Sequence, residues 1–240
     1  GNDGNNTGPK RIFCLDGTDG EVIWDTYTNG PNFACLGVSD FTGDGLPDVI
    51  GGSSTNDEST GKVYGIDGSD GSVVWTYTTG GSSVWALEQL DDINGDGIKD
   101  AIAGDFQGNY YLLDAAAGSM INSGTAGTSI FIRFERLDDV NGNGHADIAF
   151  AYSGSNAIVA DGLDGSNIWL SPLADKCWNI DKLPDISGDG LSDLIAGTLF
   201  SSNFCYFLDG STGGTIHSFN YGEPVDAIGA IPDINGDWSW

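Results

Sequence analysis

The chain has 240 residues, of which 35 are Asp or Glu and eight are Lys or Arg, so its formal net charge at pH 7 is −27. Such a composition disfavours binding to nucleic acid or to anionic membranes. No apolar run is long enough to span a bilayer, and a hydrophobic content of 39% supplies material for a packed core. We therefore expect a globular domain that neither binds nucleic acid nor inserts directly into a membrane.

The first nine residues are rich in Gly and Asn, and they are interpreted as a linker or a processed end of a longer, multidomain secreted protein. The first repeated feature follows, and we name it the Asp-Gly turn: Asp16 to Gly20, with Trp24 four residues later. Further copies are Asp67 to Gly71, followed by Trp75, and Asp161 to Gly165, followed by Trp169. Each turn separates two short β-branched and aromatic segments, which is typical of a hairpin.

Two degenerate Asp-Gly turns, 114–118 and 209–213, carry Asn122 and His217 at the tryptophan position. A large residue repeated at one structural position packs neighbouring repeats together more often than it binds a ligand. We therefore predict that Trp24, Trp75 and Trp169 are packing residues. The alternative is that they are platforms for a ligand.

A second repeated feature, which we name the acidic loop, begins at Asp40, Asp92, Asp139, Asp185 and Asp233. The steps between these first aspartates are 52, 47, 46 and 48 residues, a period typical of radially arranged or stacked structural units. Positions 1, 3 and 5 of each loop carry oxygen-bearing side chains, position 7 can offer a carbonyl, and position 9 is Asp in the first four copies. This pattern predicts a calcium loop, whereas the alternative is an ordinary hairpin turn.

We expect four to five Ca²⁺ ions, the weakest at the third loop, where Asn141 and Asn143 leave fewer charges. In the fifth loop Trp238 stands at the glycine position and the chain stops before position 9. The predicted metal ligands, loop by loop, are Asp40, Thr42, Asp44, Leu46 and Asp48; Asp92, Asn94, Asp96, Ile98 and Asp100; Asp139, Asn141, Asn143, His145 and Asp147; Asp185, Ser187, Asp189, Leu191 and Asp193; Asp233, Asn235 and Asp237.

Each repeat contains four predicted strands: one leading into the acidic loop, one following it, and two around an Asp-Gly turn. This pattern predicts an all-β fold, a β-propeller of four-stranded antiparallel blades that forms a single domain over residues 10–240. The phase of the repeats favours five blades closed by pairing of the chain ends. The alternative is an excerpt of a six- to eight-bladed propeller.

The acidic loops and the strands after them, such as Asp92 to Gly104, resemble the FG-GAP or VCBS-type repeats of integrin-α-like calcium propellers. The Asp-Gly turns with their tryptophans resemble the blades of quinoprotein-like, PQQ-type propellers. These resemblances cover nearly the whole chain after about residue 10. They imply a fold and calcium binding but no particular activity, because one fold supports many functions.

Several calcium sites of modest affinity indicate an extracellular or cell-surface protein, since free calcium is scarce in the cytosol. Four cysteines are compatible with that location. The nearest pairings are Cys14 with Cys35 and Cys177 with Cys205, although the sequence permits three connectivities and also permits free buried thiols.

No catalytic constellation stands out, so we predict a binding module and not an enzyme. Aromatic side chains recur at the start of the strands that lead into the acidic loops, and basic side chains follow them, as expected for a ligand site at the opposite end of the blades. The predicted ligand-binding residues are Phe33, Trp85, Arg133, Arg136, Trp178 and Lys182. The competing interpretation is that the aromatic residues only fill the central channel.

The predicted function is adhesion or binding, with carbohydrate or an extracellular protein as the ligand. The alternatives are a polysaccharide-active lyase or hydrolase domain and a purely structural spacer in a large adhesin or filament.

Overall fold

The computed structural model describes residues 8–28, 30–127 and 129–231. These residues form 18 strands and no helix, and consequently no element in the described ranges is a helix that could span a membrane. The chain divides into two compact units, residues 1–131 and 132–240, and each is described by itself.

Unit 1 contains three antiparallel sheets, one of two strands and two of four strands. The two-stranded sheet joins β1 (Arg11–Leu15) to β2 (Val22–Tyr27). The first four-stranded sheet consists of β3 (Asn32–Val38), β4 (Asp48–Ser54), β5 (Gly61–Ile66) and β6 (Val73–Thr78). The second consists of β7 (Val84–Gln89), β8 (Ala101–Asp105), β9 (Asn109–Leu113) and β10 (Met120–Thr125).

Unit 2 contains two four-stranded antiparallel sheets, again with strands in sequence order. The first consists of β11 (Phe131–Arg136), β12 (Ile148–Tyr152), β13 (Asn156–Ala160) and β14 (Asn167–Pro172). The second consists of β15 (Lys176–Leu183), β16 (Asp193–Leu199), β17 (Phe204–Leu208) and β18 (Thr215–Asn220). The prediction of an all-β chain built from four-stranded antiparallel units is confirmed.

The second strand of each four-stranded sheet is covered on both faces, which explains its composition. Every residue of β8 is buried, and its sequence is Ala-Ile-Ala-Gly-Asp. In β4, a Cβ added to Gly52 would lie only 2.9 Å from Cγ1 of Val84, at the start of β7. Small residues are therefore needed here because the next sheet packs directly on the backbone.

The same register places the two repeated motifs at one end of every four-stranded sheet. The acidic loop joins the first strand to the second, and the Asp-Gly turn joins the third strand to the fourth. The opposite end of the sheet carries the start of the first strand and the turn between the second and third strands. We call this opposite end the upper end.

Candidate functional site

Position 1 of each described acidic loop organises the loop backbone. In the first loop, Oδ1 of Asp40 accepts a hydrogen bond from the Gly43 amide at 2.6 Å, and Oδ2 accepts one from the Gly45 amide at 2.8 Å. Both glycines have positive φ, 83° and 91°, a conformation that side chains disfavour. The amide of Gly45, followed by that of Gly43, holds the pKa of Asp40 below its usual value. The carboxylate therefore remains charged at neutral pH.

Side-chain oxygens of positions 1, 3 and 9 converge within the first loop. Oγ1 of Thr42 lies 3.3 Å from Oδ1 of Asp40 and 3.4 Å from Oδ1 of Asp48. In the fourth loop, Oγ of Ser187 lies 3.2 Å from Oδ1 of Asp185. Neighbouring oxygens around a Ca²⁺ ion, each about 2.3–2.6 Å from it, are roughly 2.7–3.7 Å apart. The spacing of these oxygens therefore fits a calcium shell.

The aspartate at position 9 connects the two repeated motifs. Oδ2 of Asp48 accepts hydrogen bonds from the amides of Phe41 and Thr42 in its own loop, at 2.7 and 2.9 Å. Its Oδ1 accepts one from the amide of Gly68, in the Asp-Gly turn, at 2.9 Å. Asp48 is 1% exposed. Because the carboxylate is buried and already accepts three amide bonds, it has at most one lone pair for a metal.

The same connection recurs in the other three described loops. The Oδ2 atoms of Asp100, Asp147 and Asp193 accept amides of their own loops. Their Oδ1 atoms accept amides of the corresponding Asp-Gly turns, at 3.3, 3.1 and 2.9 Å from Ala115, Gly162 and Gly210. Burial raises the pKa of Asp100 to about 6. Position 9 thus serves as a link between loop and hairpin in addition to its predicted role as a ligand.

The third loop differs from the others in its side-chain contacts. Nδ2 of Asn143 donates to both carboxylate oxygens of Asp161 in the Asp-Gly turn, at 3.0 and 2.8 Å, and Nδ2 of Asn141 donates to Oδ2 of Asp161 at 2.9 Å. Carboxamide N–H groups therefore stabilise this loop, in which position 5 is Asn143, whereas position 5 is Asp in the other three described loops. The weak metal binding expected of the third loop stays a prediction.

Within the described residues, no group of three or more His, Cys, Asp or Glu side chains is arranged to hold a metal by itself. A calcium site in these loops would therefore need hydroxyl, amide or carbonyl oxygens as well, as the predicted ligand sets include. The fifth predicted set, Asp233, Asn235 and Asp237, lies outside the described residues.

The repeated tryptophans pack on the next Asp-Gly turn. Nε1 of Trp75 donates to the carbonyl of Ala115 at 2.7 Å, and a Cβ added to Gly118 would lie 2.5 Å from the Trp75 ring. Nε1 of Trp24 and of Trp169 makes the equivalent bond, at 2.8 Å to Gly68 and 2.9 Å to Gly210. The predicted packing role of these tryptophans is confirmed.

In unit 1, the predicted ligand residues Phe33 and Trp85 lie together at the upper end. Their rings are stacked, with centroids 5.0 Å apart and an interplanar angle of 13°. Phe106, in the turn after β8, lies 5.2 Å from the Trp85 ring and is 41% exposed. A cleft of about 310 Å³ is lined by Asn32 and Phe33, among others. The Asn32 carboxamide and Nε1 of Trp85 are buried without a hydrogen-bond partner.

In unit 2, the predicted ligand residues separate into two groups. Trp178 lies near the start of β15, at the upper end, whereas Lys182 lies four residues along the strand, about 13 Å away. Nζ of Lys182 pairs with Oδ1 of Asp138 at 2.7 Å. Burial opposes ionisation of Asp138, but Lys182 and Ser192 outweigh it and lower its pKa to about 2. The structure therefore does not bring Lys182 together with Trp178.

The two predicted arginine ligands, Arg133 and Arg136, lie in different surroundings. The guanidinium of Arg133 lies 2.8 Å from Oε2 of Glu135 and 3.0 Å from Oδ1 of Asp181. Its charge is therefore already balanced by two carboxylates on β11 and β15. Arg136 ends β11, next to the third acidic loop, and so lies at the opposite end from Trp178.

All four cysteines are free thiols. Cys177 on β15 is opposite Thr198 on β16, whereas Cys205 on β17 is opposite Gly197 on the other side of β16. Two strand spacings separate them by roughly 9.6 Å, beyond the roughly 7 Å limit for a disulfide. The pairing of Cys177 with Cys205 is therefore excluded. Burial raises the pKa of Cys177 to about 12, so this thiol is inert at neutral pH.

The sequence analysis missed two aromatic residues at the upper end, Phe106 and Phe200. Each lies just after the second strand of its sheet, six or seven residues past position 9 of the acidic loop. This shared position in the repeat was the sequence signal that could have identified them. It was weak because the other two sheets carry no aromatic residue there.

The repeated four-stranded sheets and the tryptophan contacts define the class of the protein as a β-propeller with PQQ-type repeats. A family model described as "Outer membrane protein assembly factor BamB" matches residues 5–174, and the chain belongs to this family. No curated protein matches the chain. The resemblance to FG-GAP and VCBS repeats stays a prediction.

Solved structures support the fold. The Saccharomyces cerevisiae protein Sqt1 is similar with a TM-score of 0.67 and 10% identity, over 89% of this chain and 58% of that chain. The crystal structure of BBS1N in complex with ARL6DN, soaked with lead, is also similar. Its TM-score is 0.60 at 9% identity, over 83% of this chain and 58% of that one. The mercury-soaked crystal has a TM-score of 0.58 and 8% identity, over 82% and 55%. The chain thus spans less than three fifths of each, and identities this low establish the fold alone.

Proposed function

We propose that the chain is a calcium-stabilised extracellular or cell-surface binding module that recognises carbohydrate or an extracellular protein at the upper end of its sheets. The description of its family names an assembly factor and no reaction, which favours a binding role over an enzymatic one. The acidic loops lie at the opposite end, so they would stabilise the module without contacting the ligand.

One observation carries this proposal: the cleft beside the Phe33 and Trp85 stack is lined by Asn32, whose carboxamide atoms are buried without a hydrogen-bond partner. A buried polar group without a partner is costly, and a ligand that bonds to it removes that cost. Aromatic rings beside such a group are typical of a site that takes a ligand with both apolar and polar surface.

A glycan array probed with the calcium-loaded protein is expected to give binding without release of product. Asn32→Ala should weaken the array signal about tenfold or more, because it removes the polar contact, and it should leave thermal stability unchanged or slightly raised. The matched control is Ser123→Ala, on exposed strand β10 of the same unit, which should change neither quantity.

Each glycan hit would then be incubated with the protein and examined for new reducing or unsaturated ends. Release of such ends would contradict the binding role and support the lyase or hydrolase alternative. A signal that is unaffected by Asn32→Ala would place the ligand elsewhere. No signal on the glycan array or with extracellular proteins would favour the structural spacer.

For the metal, the proposal is that the first, second and fourth loops each hold one Ca²⁺ ion and that the third binds most weakly. Positions 1, 3 and 5 and the carbonyl of position 7 would hold the ion, with one oxygen from position 9. The ion would supply positive charge that offsets repulsion between the loop carboxylates. It would also oppose the effect of burial on the pKa of Asp100.

Asn143→Asp is expected to raise the calcium affinity of the weakest site at least about tenfold, because it adds a carboxylate ligand. The same variant should lower stability in EDTA, since the new carboxylate would face Asp161 instead of donating to it. Isothermal titration calorimetry with calcium and thermal melts in EDTA measure the two effects.

The control is Asn94→Asp in the second loop, which should tighten an existing site without adding an ion. If Asn143→Asp left both the calcium isotherm and the metal-free melting temperature unchanged, the third loop would not be the weak site.

The number of blades is part of the same proposal, and we retain five, as the phase of the repeats predicts. In support, Val225 packs against Gly197 of β16 in the way that Val84 packs against Gly52 of β4. Val225 thus occupies the place that a residue at the start of the first strand of a further sheet would take. A secreted location is likewise proposed, from the need for extracellular calcium.

A further inference from the structure

The turn between β16 and β17 presents an exposed aromatic residue in an unfavourable backbone conformation. Phe200 is 60% exposed and has a φ of 84°. Bulky residues rarely adopt positive φ, and residues held in this way cluster at functional sites. Phenylalanine is usually found where its ring is buried in the core, and Phe200 is not buried. Burial in the core therefore does not account for this side chain.

Asp175 holds the turn in place. Its Oδ2 accepts hydrogen bonds from the amide and hydroxyl of Ser201 and from the amide of Ser202, the latter two at 2.7 and 3.2 Å. Its Oδ1 accepts the amide of Lys176 at 2.8 Å. The amide of Ser201 is the largest of the causes that lower the pKa of Asp175. A carboxylate bound by four donors stays charged and fixes the position of Phe200 before any ligand arrives.

Two neighbours complete a small surface around Phe200. The ring of Trp178 lies at 89° to that of Phe200, with centroids 5.9 Å apart. Nζ of Lys176 lies 4.8 Å from the centre of the Phe200 ring. In the part of the chain that the structure describes, Lys176 forms no ion pair, whereas Arg133 and Lys182 do.

We propose that Phe200, Trp178 and Lys176 form a binding site for an acidic sugar, a pyranose that carries a carboxylate. The apolar C–H face of the ring would lie on the Phe200 ring, and the edge of the sugar would contact Trp178. The ammonium of Lys176 would leave the aromatic face and bond to the sugar carboxylate, forming a charge-assisted hydrogen bond. This inference rests on the carbohydrate form of the proposed function and names its ligand class.

The test is calorimetric titration of the calcium-loaded protein with a glucuronate trisaccharide and with its neutral glucose counterpart at equal ionic strength. The acidic sugar is expected to bind about tenfold more tightly than the neutral one. Phe200→Ala should weaken both about tenfold or more, and Lys176→Gln should remove the preference for the acidic sugar. Ser123→Ala, on exposed strand β10 of unit 1, should leave both isotherms unchanged.

A second variant separates binding from folding. Phe200→Gly should raise the melting temperature, because glycine adopts a φ of 84° without strain, and yet it should lose the sugar. Acidic sugar that binds with unchanged affinity to Phe200→Ala and Lys176→Gln overturns this site while the proposed function stands. Absence of binding to any carbohydrate removes both the site and the carbohydrate form of the function. Equal competition by a polyglutamate peptide would show that Lys176 recognises charge alone and would overturn the sugar class.

Discussion

Removal of calcium with excess EDTA is expected to lower the melting temperature by roughly 15–30 °C. At a calcium concentration 100 times the dissociation constant, each bound ion stabilises the folded state by about 2.7 kcal/mol. Three occupied loops would contribute roughly 8 kcal/mol, and each kcal/mol shifts the melting temperature of a protein of this size by about 2–4 °C. Differential scanning calorimetry with and without EDTA measures the change.

Magnesium at the same concentration serves as the control for ionic strength, and it should restore little of the lost stability because it prefers a smaller, rigid octahedral shell. Titration of calcium back into the EDTA-treated protein should restore the original melting temperature. If the melting temperature were the same in EDTA and in calcium, the acidic loops would be simple turns and the calcium proposal would be wrong.

Trp75→Ala is expected to destabilise the protein by about 3–5 kcal/mol. Trp75 is 8% exposed, contacts the backbone of Gly118 and donates to the carbonyl of Ala115. Its loss leaves a cavity between two sheets of unit 1 and leaves that carbonyl without its donor. Chemical denaturation in the presence of calcium measures the change in the free energy of unfolding.

His217→Ala is the matched control, because His217 on β18 has the register position that Trp75 has on β6. His217 is exposed, so its removal should change the free energy of unfolding by less than about 0.5 kcal/mol. Equal effects of the two substitutions would show that the position, and not the tryptophan contact, determines stability.

The periodic features were predictable from the sequence because they depend on short-range geometry. An Asp-Gly turn selects a hairpin through its positive-φ glycine, and Gly71, at the end of one such turn, has a φ of 79°. Oxygens at alternate positions of a nine-residue loop face one another because the glycines bend the backbone there. The repeat period then placed both motifs in every sheet. These inferences required no knowledge of distant contacts.

The upper end of the sheets was less predictable, because its contacts join residues far apart in the sequence. Counting residues identified Phe33, Trp85 and Trp178. The basic residue Lys182, expected nearby, instead lies four residues along β15 from Trp178, toward the other end. Phe200 escaped notice because its significance lies in its backbone angle and its exposure. A residue count along a strand gives the distance of a side chain from the acidic loop. It does not show which charged side chains form ion pairs, such as Lys182 with Asp138.

By itself, the sequence determined the repeat, the four-stranded antiparallel unit, the packing role of the tryptophans and the two ends of each sheet, since all of these follow from local periodicity. Only the tertiary structure decided how the acidic loop and the Asp-Gly turn are joined. The aspartate at position 9 links them through buried amide bonds, for example from Asp48 to Gly68. Those partners are 20 residues apart, and only the packing of strands brings them within hydrogen-bonding distance.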